Sequence, residues 1–327
     1  MARLTIPREE WMSPGHLACP GCAATLAMRY LLKGLGPRTI VAIPACCWAV
    51  MSGPFPGSAL KVPMIDCAFE TTGATISGLR AALDAQGTPD VTVVGFAGDG
   101  GTVDIGLQAL SGMLERRTDA IYVMYDNEAY MNTGVQRSGA TPYGAWTTTT
   151  LRGKQEGKKD IMAIVLAHDV PYAATVSVAF PEDFVRKVQR AREVRGPRFL
   201  HAFSPCPPGW RYPSERTIEL ARLAVDTKVF PLYEVDGGTW KISRMPPKGR
   251  SVREYLDAQG RFRHLTDEDV VRIQEDVDAR WEDLVARATP RTQAPFRTRP
   301  IGQRSRPVTT FPAPHDRRRA EDRTDRP

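Results

Sequence analysis

The stretch GDGGTVDIGLQALSGMLERRTDAIYVMYDNEAYMNTG (98–134) sets two oxygen-rich loops at either end of one strand–helix–strand length of chain. VTVVGFAG (91–98) and AIYVMYDN (120–127) are apolar, largely β-branched or aromatic runs suited to fully buried parallel strands. Between them Ile105, Leu107, Leu110 and Leu114 recur at roughly helical spacing. A helix of about 12 residues spans about 18 Å and a seven-residue strand about 23 Å, so a right-handed crossover returns the chain to the sheet edge it left. Asp99 and Asn127 are thereby expected at one edge. The fold class this predicts is α/β: an open, mostly parallel sheet flanked by helices, with its site at the carboxyl ends of the strands.

At such an edge Gly98, Gly100 and Gly101 let backbone amides approach a phosphate closely, and the N-terminus of the following helix favours anions. Asp99 can hold a hard cation such as Mg²⁺, for which the Asn127 side-chain oxygen and a backbone carbonyl of the second loop are further oxygen ligands. A plain βα loop and a dinucleotide-binding turn are the alternatives. The dinucleotide fingerprint fits poorly, because Val103 stands where its third glycine belongs.

Six cysteines supply a second signal: Cys19 and Cys22 form a CPGC pair, while Cys46, Cys47, Cys67 and Cys206 are scattered. With no signal peptide read before them, a cytoplasmic chain with metal or redox chemistry is expected rather than a disulfide scaffold. Spacing alone leaves an iron–sulfur site, a zinc site and unrelated buried thiols all open. Zinc ribbons usually bring two CxxC pairs, and Cys206-Pro207 resembles the Cys-Pro of ferredoxins.

GDGGTVDIG (98–106), DNEAYMNTG (126–134) and QRSGATPYGAWTTTT (136–150) together resemble the β subunit of 2-oxoacid:ferredoxin oxidoreductases, the family typified by pyruvate:ferredoxin oxidoreductase. The resemblance covers roughly residues 11–287 and implies a thiamine diphosphate-binding fold. In that family Asp99, Asn127 and the Ala129 carbonyl would bind Mg²⁺. Gly98, Asp99, Gly100, Gly101, Asn127, Glu128, Ala129, Tyr130 and Asn132 would line the diphosphate and thiazolium region, with Asn132 nearest the reacting carbon. The family's cysteine pattern is a CxxC, a cysteine 25 positions further on and one before a Pro-x-Gly-Trp segment. It implies a [4Fe-4S] cluster on Cys19, Cys22, Cys47 and Cys206, with Cys47 also beside the cofactor. Cys46 and Cys67 are left as small apolar residues. One departure is Ala24, where some members carry an acidic residue near the cofactor; another is Leu151, where many have proline.

The activity implied is coenzyme A-dependent oxidative decarboxylation of a 2-oxoacid to acyl-CoA and CO₂, with electrons passed singly to ferredoxin. Pyruvate is the expected substrate, although branched-chain, aryl and oxalate-using relatives share much of the same segment. The family places an activating glutamate on an α subunit and further clusters on a δ subunit, so α, γ and δ partners are expected. Competing classes are a non-redox carboligase with structural cysteines and a zinc-stabilised or RNA-binding scaffold.

The 327 residues, 42% of them hydrophobic, can bury a substantial core, and the most continuous apolar run, IVAIPACCWAVM (40–51), is too short for a membrane span. It reads as a strand entering a cysteine-bearing loop. From Ala288 onward ten arginines face four acidic residues, which places nearly all of the net charge of +7 in this segment. Residues 1–287 are expected to form the thiamine diphosphate domain and residues 288–327 a disordered, solubilising or subunit-contacting tail, with no nucleic-acid role. IMAIVLAHDVPYAATVSV (161–178), PEDFVRKVQRAREV (181–194) and FLHAFSPC (199–206) predict a further strand–helix–strand unit, and Thr266 with Asp269 opens a last polar helix. His16 and His201 are expected to be partly buried polar residues rather than donors to a cluster. Trp146 and the threonines at 147–150 are expected over the cofactor or against a partner.

Overall fold

Both faces of the predicted strands are apolar, and both are covered. The computed structural model describes residues 4–54 and 56–289. Among them are eight strands: β1 (Thr39–Pro44), β2 (Met64–Cys67), β3 (Thr92–Gly98), β4 (Ile121–Asp126), β5 (Tyr172–Ser177), β6 (Arg198–Phe203), β7 (Tyr233–Asp236) and β8 (Thr239–Ile242). They form one sheet in the order β2-β1-β3-β4-β6-β5-β7-β8. The first six are parallel, and the β7–β8 hairpin adds two antiparallel strands at one edge. The α/β expectation holds.

The helices are α1 (Ala23–Leu35), α2 (Cys47–Met51), α3 (Thr72–Ala85), α4 (Asp99–Val103), α5 (Leu107–Glu115), α6 (Ile161–Leu166), α7 (Pro181–Glu193), α8 (Pro207–Trp210), α9 (Thr217–Asp226), α10 (Val252–Asp257) and α11 (Asp267–Ala288). Alternate residues of β3 serve opposite faces. Val94 and Phe96 join the core formed with α1 and α7, while Val93 and Ala97 join that formed with α3, α5 and α6. A third cluster, with Trp210, Leu220, Phe230, Tyr255 and Val277, lies among α8 to α11.

Two expectations change. The helix predicted through Ile105 is two helices: Asp104 leaves helical geometry at φ −115°, ψ −96°, and Ile105 is 51% exposed. At Gly106 a Cβ would lie 2.1 Å from the Gly101 carbonyl oxygen, so the kink needs glycine. The helix that GDGG itself opens, capped at Gly98, is consequently only five residues long, and its dipole lends little to an anion. Next, residues 161–166 of the predicted strand region are α6, begun where the Asp160 carboxylate accepts from the Ala163 amide at 2.9 Å. The expected tail at 288–327 lies outside the described residues beyond Thr289.

The capping signal is realised in full. Thr266 accepts from the Asp269 amide at 3.2 Å while Asp269 accepts from the Thr266 amide at 3.0 Å. Thr266→Ala is expected to cost about 1 kcal/mol, read as a lower urea midpoint with an unchanged m-value.

Candidate active site

Four neighbouring strands, β1, β3, β4 and β6, end in loops that carry Cys47, Asp99, Asn127 and Cys206 respectively. Parallel pairing puts these ends on the same side, with Gly98 beside Tyr125 and Asp126 beside Phe203. Residues up to 159 positions apart in sequence, Cys47 and Cys206, therefore share one sheet edge.

Asp99 is 1% exposed and accepts from Ser138 Oγ at 2.5 Å. Its other oxygen lies 2.8 Å from the terminal amide atom of Asn127 that is itself 3.0 Å from the Ala129 carbonyl oxygen. With the amide oxygen in that place, three acceptors face one another. Rotating the amide turns both contacts into N–H donation; a cation among them keeps the oxygen there. Ligands about 2.1 Å from an octahedral Mg²⁺ stand about 3 Å apart, a spacing compatible with the two separations of 2.8 and 3.0 Å. Burial, and then the neighbouring Asp126, push the Asp99 carboxyl well above the usual carboxylate range, an arrangement that a cation would reverse.

Asn127 is held by a buried ionic network that the sequence did not announce. Lys158 Nζ donates to Asp126 Oδ2 at 2.6 Å and to Glu128 Oε1 at 2.7 Å. Arg261 Nη2 reaches the other Glu128 oxygen at 2.5 Å, and His201 Nε2 lies 2.6 Å from Asp126 Oδ2. Burial opposes ionisation of Asp126, yet Lys158 and His201 outweigh it and bring the carboxyl down to about 2. Glu128 is expected in the cofactor-lining loop with its carboxylate only a nearby source of field; that carboxylate pairs with two cations. Glu128 also has φ 64° and its carbonyl accepts from Thr141 Oγ1 at 2.6 Å. A non-glycine residue in the left-handed region persists only where its surroundings hold it.

Tyr130 packs over the GDGG turn, where a Cβ on Gly100 would strike its ring at 2.4 Å, and its hydroxyl donates to Asp104 Oδ2 at 3.1 Å. Asn132 stands exposed in the following turn and makes no hydrogen bond to Asp99 or Asn127. Val135, at φ 65°, closes that turn, and its carbonyl accepts from the amide of Thr148 at 2.9 Å. The threonine run therefore braces the Asn132 turn from within this chain, and Trp146 lies under the Arg211 guanidinium at 3.5 Å.

The cysteine segments are tied together by hydrogen bonds. Trp48 Nε1, one residue after Cys47, donates to the Ala24 carbonyl at 3.1 Å, and Ala23 N, one residue after Cys22, donates to the Pro205 carbonyl at 3.4 Å. Thr217 Oγ1 donates to the Gly21 carbonyl at 2.7 Å. Burial pushes the Cys206 thiol up to about 12, with Cys22 and Cys19 adding to the shift. Burial, then Cys46, Cys206 and Cys22, push the Cys47 thiol higher still. Thiolates here would be costly without iron or another cation to neutralise them. Among the described residues no three Cys, His, Asp or Glu side chains close around a single metal ion. Cys46 and Cys67, like Cys22, Cys47 and Cys206, are half-buried free thiols. His201 bonds to Asp126 on a core strand, and His16 accepts from the Ala18 amide at 3.4 Å; neither bonds to a cysteine sulfur.

Ser138 and Thr141 lay unremarked inside a quoted segment, as did Trp210 in CPPGW. Lys158, beside Lys159 in a loop, and Arg261, in the 3-10 turn Gly260–Phe262, have no periodicity or motif to mark them.

Residues 64–202 match the family described as thiamine pyrophosphate enzyme, C-terminal TPP binding domain. Ketoisovalerate oxidoreductase subunit VorB of Pyrococcus abyssi is 54% identical over 294 residues, which cover 86% of this chain and 94% of that protein. Pyruvate synthase subunit PorB of Methanothermobacter thermautotrophicus is 49% identical over 286 residues, covering 86% of this chain and 99% of that one. Among solved structures, the 2-oxoglutarate:ferredoxin oxidoreductase from Magnetococcus marinus superposes with a TM-score of 0.55 at 19% identity. It covers 88% of this chain and 98% of its own, a likeness of fold. The thiamine diphosphate fold that the resemblance implied is thereby borne out.

Proposed function

Because the chain belongs to the β subunits of the 2-oxoacid:ferredoxin oxidoreductases, we propose that its strand edge binds Mg²⁺–thiamine diphosphate beside a [4Fe-4S] cluster. The complete enzyme would use them in coenzyme A-dependent oxidative decarboxylation of a 2-oxoacid, with ferredoxin as acceptor. The observation that carries this reading is the row of strand ends, in which Asp99 and Asn127 lie between Cys47 and Cys206. When bound, thiamine diphosphate supplies the carbanion chemistry and a cluster the one-electron steps.

This chain's residues have defined shares in that work. Asp99, Asn127 and the Ala129 carbonyl would hold Mg²⁺; the turn at Gly98, Gly100 and Gly101 would receive the diphosphate. Cys19, Cys22, Cys47 and Cys206 would hold iron. Asn132, exposed at its turn, would face substrate where a partner subunit closes the site. Lys158, Arg261 and His201 keep the two carboxylates flanking Asn127 from competing for the cation. The α, γ and δ partners would complete the enzyme, so the isolated chain should not turn over. Among the described residues no helix is long and apolar enough to cross a membrane.

Pyruvate was the expected substrate. The relatives widen this to pyruvate or ketoisovalerate, since a ketoisovalerate enzyme subunit shares 54% identity and a pyruvate synthase subunit 49%. A panel of 2-oxoacids, assayed on the complex with coenzyme A and a viologen dye, decides between them. The highest kcat/KM is expected for one of these two; preference for an aryl 2-oxoacid would overturn the assignment.

A further inference from the structure

The metal loop and the last cysteine loop are joined by one side chain. Trp210 is 1% exposed, and its Nε1 donates to the Asn127 carbonyl at 2.8 Å. Its own amide donates to the Cys206 carbonyl at 2.9 Å, closing the single turn that Cys206 begins. The same indole is stacked under the Arg261 guanidinium, 3.7 Å from the ring centroid, and packs beside Phe203 and Tyr212 at 5.5 and 6.4 Å. Arg261 in turn reaches Glu128, the residue after Asn127, at 2.5 Å. A second contact runs in parallel. A Cβ on Gly209 would lie 2.1 Å from Met131 Sδ and 3.5 Å from Cys206 Sγ, so glycine lets the two loops touch.

Two loops could each be rigid and still move against one another. Here a buried N–H and a stacked cation remove that freedom, because a slip of the indole would leave the Asn127 carbonyl without its donor and separate Arg261 from its ring. We propose that Trp210, clamped by Arg261, is a positioning residue that locks the Asn127 loop to the Cys206 loop and so fixes the spacing between the cofactor and cluster sites. This rests on the function proposed above, and it concerns how the two sites are held, not whether they exist.

The test uses the intact complex with Trp210→Phe, which keeps an aromatic ring under Arg261 but removes the donor together with part of the indole's volume, and with Phe203→Leu as a packing control. Three readouts are compared: iron and sulfide content, the affinity for thiamine diphosphate with Mn²⁺ in place of Mg²⁺, followed by Mn²⁺ electron paramagnetic resonance, and the midpoint potential and line shape of the cluster signal. Trp210→Phe is expected to keep full iron and sulfide, to weaken Mn²⁺–thiamine diphosphate binding about tenfold, and to abolish the change in cluster line shape that cofactor binding produces in the unaltered complex. Phe203→Leu is expected to lower the unfolding temperature while leaving affinity and line shape unchanged. Trp210→Phe with unaltered affinity and an unaltered response would overturn the proposal, as would equal losses in both variants, which mark a packing role. Should Trp210→Phe not assemble, Arg261→Lys, which keeps the charge at Glu128 and loses the planar stack, is read on the same scale: a weakened affinity with an altered line shape supports the lock, and no change overturns it. An unaltered complex without iron would instead refute the proposed function and is seen before any variant is made.

Discussion

A Cys47→Ser complex purified without oxygen is expected to retain thiamine diphosphate, to lack an intact four-iron cluster, and to reduce viologen dye at background rate. Cys47 opens α2 directly after β1, and its thiol senses Cys22 and Cys206 electrostatically. A serine hydroxyl is harder and far less acidic than a thiol, a poor replacement for a ligand to iron. The cofactor loops do not depend on it, since Asp99 is held by Ser138, and Asn127 by Trp210 and the ionic pairs of its neighbours. Iron and sulfide analysis, with cofactor content measured on the same sample, checks this. Cys67→Ser, at the end of edge strand β2, should keep its full iron. Full iron in Cys47→Ser would remove Cys47 from the ligand set, and with it the redox reading of the sheet edge.

Asp99→Asn is expected to abolish Mg²⁺–thiamine diphosphate binding and, in the same protein, to raise the stability of the metal-free fold. The carboxyl is buried beside Asp126, and its folded pKa is raised above the unfolded value. The folded state therefore binds more protons between those two values. Metal-free stability should fall as pH rises through that window, and the loss is complete above the folded pKa. An amide removes the charge and can still accept from Ser138. At neutral pH the metal-free melting temperature should rise by roughly 2–4 °C for each kcal/mol relieved. Adding Mg²⁺ and thiamine diphosphate should stabilise the unaltered chain and leave the variant where it was. A variant that melts lower than the unaltered chain without metal would mean that Asp99 is ionised and satisfied by protein groups alone.

The strand ends were legible because their code is local. Runs such as VTVVGFAG and AIYVMYDN have no polar face, so they belong to a sheet covered on both sides, and one crossover then dictates that Asp99 and Asn127 meet. The kink at Gly106 was missed because apolar spacing carries on through it; only the close approach to the Gly101 carbonyl reveals the break. The α6 segment was misread because IMAIVL is apolar throughout, and a short apolar run does not distinguish strand from helix. Lys158, Arg261 and Trp210 were illegible for a different reason. Their partners lie 30, 133 and 83 residues away, and their importance comes from burial beside Asn127, which no sequence window contains. The cysteines fell in between. Spacing raised iron and zinc alike, and only the folded chain brings Cys22 and Cys206 near Cys47, and Cys19 near Cys206.

The proposed joint placement of both groups on this chain is tested most directly by adding pyruvate or ketoisovalerate to the intact anaerobic complex without an external acceptor and recording its electron paramagnetic resonance spectrum. The expected result is the signal of a reduced [4Fe-4S] cluster appearing with release of CO₂, lost in both Cys47→Ser and Asp99→Asn. Release of CO₂ with no change in the iron signal, or a signal that persists in Cys47→Ser, would contradict it.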